Sequence, residues 1–151
     1  MRLAVVIVSL WAVSALAEEL PTDLILKCEG KVSVIMNTDG GRPNFSNDKF
    51  ETMLHLKDNE LSDTSSIWLT TKGCVLRNAI VHCSAKSVVA TGIGSGSARQ
   101  ELTAYISRKT GEYNFFLENW SYAGPNASGK QIANMKLHRS GICRQVSKPI
   151  F

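Results

Sequence analysis

From Leu24 onward, apolar side chains recur at every second position, the period of a strand whose successive side chains point to opposite faces. Leu24, Leu26 and Cys28 alternate with Ile25, Lys27 and Glu29, and an extended run continues from Lys31 to Met36, with Gly30 read as a bulge. The cleanest run places Phe50, Thr52, Leu54 and Leu56 on one face and Glu51, Met53, His55 and Lys57 on the other. Further strand-like runs surround Ile67-Trp68-Leu69, Cys74-Val75-Leu76, Ile80-Val81-His82-Cys83 and residues 87–91. Leu102, Ala104 and Ile106 share a face, as do Tyr113, Phe115 and Leu117, and later Ala133, Met135 and Leu137.

Between these runs lies turn chemistry: residues 37–44, Asp58-Asn59, the Gly- and Ser-rich loop 92–97, Arg108-Lys109-Thr110-Gly111 with Gly111 in a left-handed position, and residues 124–129. No stretch keeps a 3.6-residue period for three turns. The pattern predicts an all-β fold of about eight or nine strands joined mainly by short turns. A single antiparallel β-barrel of meander type, with about eight strands, fits best, and a β-sandwich is the alternative.

The N-terminus departs from this pattern. Met1-Arg2 is followed by an apolar stretch over 3–13, then Ser14-Ala15-Leu16-Ala17 and Glu18-Glu19. One positive charge, a short apolar segment and an A-x-A ending describe a secretory signal peptide over 1–17, leaving 18–151 as one all-β domain. The stretch is shorter than the roughly 20 residues of a membrane-spanning helix, and no second apolar segment of that length follows. The expected location is the periplasm or the exterior.

Charge adds little. The chain carries 17 Lys+Arg against 13 Asp+Glu, a net charge of +4, and loss of Arg2 with the leader lowers it by one. That density is far below a nucleic-acid binder's. Basic residues thicken towards the C-terminus at Lys130, Lys136, Arg139, Arg144 and Lys148, read as a solvated face or an anion-binding patch.

All four cysteines, Cys28, Cys74, Cys83 and Cys143, lie beyond the leader, and an even count in an exported chain implies disulfides. Of the three possible pairings, Cys74–Cys83 and Cys28–Cys143 fit best. A hairpin turning near Arg77-Asn78 sets Cys74 opposite Cys83, within disulfide reach. The second pair then ties the first strand to the last, as barrel closure requires.

Common chemistries are missing. Gly92-Ile93-Gly94 lacks the third glycine of a dinucleotide loop, because Ser97 stands there. Phosphate-binding G-x-x-x-x-G-K-[ST], hydrolase G-x-S-x-G and metalloprotease H-E-x-x-H motifs do not occur. His55, His82 and His138 fall on different strands and read as surface or half-buried side chains rather than metal ligands. No enzyme, cofactor or metal is expected. Trp68, Phe115 and Trp120 are the candidate lining of a cavity for a small apolar ligand.

A first strand reading Leu26-Lys27-Cys28-Glu29-Gly30, a later Ile106-Ser107-Arg108-Lys109-Thr110-Gly111 and a Cys shortly before a terminal Phe form a familiar layout. It resembles a loose group of small secreted or periplasmic proteins of Gram-negative, mostly alphaproteobacterial, type with no assigned function. The resemblance covers nearly the whole processed chain and implies no catalytic residues. The Cys74/Cys83 pair and the loop 92–97 go beyond that pattern. Lipocalins are similar in shape only, since their G-x-W is absent. The expected function is non-enzymatic binding of a small apolar ligand; the alternative is a structural or protein-interaction module of the cell envelope.

Overall fold

The computed structural model describes residues 19–20, 23–64, 66–90, 96–123 and 129–146. The expected signal peptide, most of the loop 92–97 and the tail from 147, with Lys148, lie outside the described residues, as do the side chains of 66–69 and 89–90. Nine strands are found among the described residues: β1 (Asp23–Thr38), β2 (Asn44–Lys57), β3 (Glu60–Asp63), β4 (Ser66–Thr71), β5 (Val75–Arg77), β6 (Ile80–Ala90), β7 (Ser97–Ser107), β8 (Glu112–Tyr122) and β9 (Gln131–Gln145). They form one antiparallel sheet in the order β4-β3-β2-β1-β9-β8-β7-β6-β5, curled strongly into a half-barrel. The all-β expectation holds, as one sheet rather than two.

The order contains two meanders. β1 to β4 step outward to one edge, and β5 to β9 step inward from the other, so the first and last strands meet at the centre. Only residues 72–74 join the two edges. A flat sheet of nine strands would separate its edges by about 38 Å. Four Cα steps from Thr71 to Val75 span at most about 14 Å. The sheet must therefore curl until β4 approaches β6 and β7. Cys74 fastens the gap: its amide donates to the Asn59 carbonyl in the β2–β3 turn at 2.9 Å, while its sulfur is bonded to Cys83 on β6.

The second disulfide, Cys28–Cys143, joins directly opposed residues of β1 and β9. Both expected pairings are present. The next inward-facing pair along the same ladder is Gly30 opposite Gly141. A Cβ on either would lie 2.1 Å from the backbone of the other strand, at Ser140 O or Glu29 O. Gly30 is thus no bulge; the ladder runs through it unbroken. The bare backbone leaves room for the flanking Phe50 and Tyr113, whose ring centroids lie 6.0 Å apart.

The turns follow the local chemistry. Asp58 and Asn59, at φ 49° and 63°, form a two-residue turn with both residues left-handed, as do Asn78 and Ala79 at 51° and 62°. The second turn lies one residue beyond Arg77-Asn78, centred where Cys74 and Cys83 become opposite. Gly111 has the expected positive φ, 75°, and its carbonyl accepts from the Cys143 amide at 2.8 Å.

Alternation holds over the basal half of the long strands and breaks where Ser97 and Ala98 are both buried and where the register shifts at Ser62/Asp63 and Ser121/Tyr122. Leu26, Leu54, Leu56, Val81, Leu102, Ile106, Tyr113 and Phe115 fill the concave face towards the basal end, where the 58–59, 78–79 and 108–111 turns lie. The distal part of the β1–β2 hairpin, by contrast, is exposed or half-buried.

In the loop-closure account, the 115-residue separation of Cys28 and Cys143 is worth about 5 kcal/mol and the 9-residue separation of Cys74 and Cys83 about 3 kcal/mol. Cys28→Ser should therefore lower the melting temperature more than Cys74→Ser in calorimetry of the oxidised protein. Equal or reversed shifts would refute that ranking.

Candidate functional site

Two features occupy the concave face: a buried ionic cluster and an apolar cleft. The cluster is built from three walls. β3 places Asp63 inward with its side chain 1% exposed, and β9 places Arg139 inward with its side chain 16% exposed. Arg139 Nη1 donates to Asp63 Oδ2 at 2.7 Å, and Thr52 on β2 donates its hydroxyl to the other carboxylate oxygen. The guanidinium carbon lies 5.4 Å from the Phe50 ring centroid and 5.9 Å from that of Phe115, so two aromatic faces hold the cation. Arg139 Nε is buried with no acceptor among the described residues. Burial pushes the Tyr113 hydroxyl well above the usual tyrosine range, with Arg139 beside it pulling the other way and Asp63 adding to the rise.

The cleft lies at the basal end. It encloses about 220 Å³ between Leu24 and Leu26 of β1, Leu56 of β2, Val81 of β6 and Ile106 of β7. Ser107, Arg108, Gly111, Cys143 and Gln145 complete its lining. Half of its lining is aliphatic, and Ser107, Arg108 and Gln145 add polar groups.

The convex face carries the three histidines. His55 Nε2 lies 2.6 Å from Asp23 Oδ1. His82 stacks on Tyr105 with centroids 4.8 Å apart, and His138 stacks on Phe116 at 4.4 Å. Each stacked pair is a directly opposed cross-strand pair. No group of three His, Cys, Asp or Glu able to hold a metal ion is found among the described residues.

Of the expected lining residues, Phe115 and Trp120 do not share one cavity. Phe115 is a core residue, 3% exposed, against Tyr113 and Arg139. Trp120 lies on the opposite face of β8, where the Arg99 guanidinium sits 5.5 Å over its ring. Trp68 belongs to β4, and its side chain lies outside the described residues. Neither Phe115 nor Trp120 lines the basal cleft. The expected basic patch is also dispersed: Lys130 pairs with Asp39, Lys136 with Glu118, and Arg139 turns inward to Asp63. Arg139 was detectable as an inward residue, because it continues the alternation of Ala133, Met135 and Leu137. Asp63 sits in a four-residue strand too short to display a period.

No protein-family model matches this sequence, and no curated protein matches it.

Two measurements test the cluster. Arg139→Met removes the cation from a carboxylate that is 1% exposed and should cost about 3 kcal/mol in denaturant unfolding. Asp63→Leu combined with Arg139→Met should recover most of that loss. Among the three tyrosines, Tyr113 should resist ionisation in ultraviolet titration until the fold gives way. Because its folded pKa is raised, stability is complete below about pH 10, the unfolded value, and falls as pH climbs above it. Tyr113→Phe should flatten that alkaline decline.

Proposed function

We propose that the protein is a non-enzymatic binding module of the periplasm or exterior that takes a small apolar ligand into the basal cleft. The observation that carries this reading is the cleft: five aliphatic side chains around about 220 Å³, lined also by Arg108 and Gln145. The two disulfides support an oxidising compartment. An apolar cavity of about 150 Å³ is enough for benzene, so this cleft suits about ten non-hydrogen atoms. Burying about six methylenes is worth about 5 kcal/mol, which corresponds to a dissociation constant of about 0.2 mM.

A second reading is favoured by a separate observation. Among the described residues, 44–50 of β2 pair with β1 only, because β3 begins its pairing at Leu54. Phe45 on this open edge is 65% exposed. An unpaired edge bearing an exposed aromatic suits strand addition by an envelope protein.

Hexanoate and hexanol serve as probes of the cleft by titration calorimetry of the oxidised protein. Both should bind near the affinity above. Leu24→Trp, which plugs the mouth from a half-exposed position, should abolish binding while leaving the circular dichroism unchanged. Failure of both probes to bind, or binding that survives Leu24→Trp, would remove the cleft from consideration.

A further inference from the structure

The convex face carries a pairing that a strand ladder ordinarily avoids. In the β1–β2 register Lys31 stands directly opposite Lys49. Two side chains in that relation have Cβ atoms about 5 Å apart, where like charges destabilise the ladder. Elsewhere on this face lysines are matched with acids: Lys27 Nζ lies 2.7 Å from Glu51 Oε1, and Lys136 Nζ lies 2.8 Å from Glu118 Oε1. Lys31 and Lys49 make no ion pair among the described residues.

The neighbouring positions deepen the feature. Ser140 lies opposite Lys31 on β9, and in the next row Asn47, Ser33 and His138 lie side by side on β2, β1 and β9. The small serines leave a shallow basin of about 710 Å³ between the lysines and the histidine. The His138 ring is fixed as its wall by stacking on Phe116, and its Nε2 lies 3.3 Å from Asn114 Oδ1. The basin thus gathers two lysines, two serines and an asparagine, with one carboxylate, Asp48, at its border. Such a set offers many donors and concentrated positive charge, which matches a compact anion with several acceptor oxygens. One acid, Asp48, also borders the basin, and its Oδ1 accepts from the Lys49 amide at 2.7 Å; Glu29 and Glu51 stand opposed in the adjacent row, where Lys27 already pairs with Glu51.

We propose that this basin, on the convex face of β2, β1 and β9, binds an oxyanion of the phosphate class between Lys31 and Lys49. The ligand relieves the repulsion of the lysine pair and gains hydrogen bonds from Ser33, Ser140 and Asn47. The basin lies on the opposite face of the sheet from the basal cleft, so it stands or falls independently of the apolar site.

Titration of the full-length oxidised protein with inorganic phosphate, followed by amide chemical shifts, tests the site. Shifts should concentrate at Lys31, Ser33, Lys49 and Ser140, with a dissociation constant of about 1 mM that weakens in sodium chloride. Lys31→Gln or Lys49→Gln should weaken binding about threefold, and the double substitution about tenfold. Glu29→Gln should tighten it, and Lys109→Gln, in the β7–β8 turn, should leave it unchanged. Flotation with phosphatidylcholine vesicles, with and without phosphatidylglycerol, separates a lipid headgroup from a free anion. Binding to either source that is lost in the double variant supports the basin. Phosphate binding that survives the double variant, or absence of binding to phosphate and to both vesicles, overturns it.

Discussion

Three residues set the shape of this molecule. Residues 72–74 are all that connects β4 at one edge of the sheet with β5 at the other, and a chain of that length cannot bridge a flat sheet of nine strands. Curl is therefore imposed by covalent reach before any side chain is considered. Hydrophobic burial then has a concave face to fill, and the disulfide from Cys74 to Cys83 holds the edges at the separation the link allows. The right-handed twist natural to strands works in the same direction. A half-barrel follows without a complete hydrogen-bonded closure.

Inside the curve, space is allotted by what is missing as much as by what is present. The Gly30–Gly141 pair removes two side chains from the centre of the sheet, and Phe50 and Tyr113 lean into the vacancy. That arrangement builds an aromatic shelf on which the Arg139 guanidinium rests, reaching from the central strand β9 to Asp63 on β3. A buried ion pair adds little net stability compared with apolar packing of the same volume, since desolvation offsets most of the attraction. What it does supply is direction: the charge pair is satisfied in one placement of β3 relative to β9, which a purely greasy interior would not specify.

Much of this was legible in the sequence, because the strand period is local. Phe50, Thr52, Leu54 and Leu56 face inward as their alternation demands, and so do Tyr113, Phe115 and Leu117. Cysteine spacing carried both disulfides. Cys28 already announced that the first strand meets the last, but not that they meet at the centre of the sheet with β4 and β5 left as its edges, because that depends on which strands lie outermost rather than on any local pattern. Phe115 and Trp120 are five positions apart, and an odd spacing sends them to opposite faces; their shared aromatic character obscured that arithmetic. The facing of Lys31 and Lys49 depends on the β1–β2 register, fixed by the conformation of residues 39–43 rather than by either lysine's neighbours.

The meeting of first and last strands at the middle of the sheet has a bearing on biogenesis. Hairpins β1 to β4 can assemble as soon as they emerge, but the seam at Cys28–Cys143 joins residues 115 apart. Until β9 is delivered, β1 presents a naked row of amides and carbonyls, the kind of edge that recruits foreign strands. High contact order makes such assembly slow, on the order of milliseconds to seconds. A chain of this design gains from closing its disulfides only once β9 is in place, because premature pairing of Cys74 or Cys83 with Cys28 would lock the two meanders out of register.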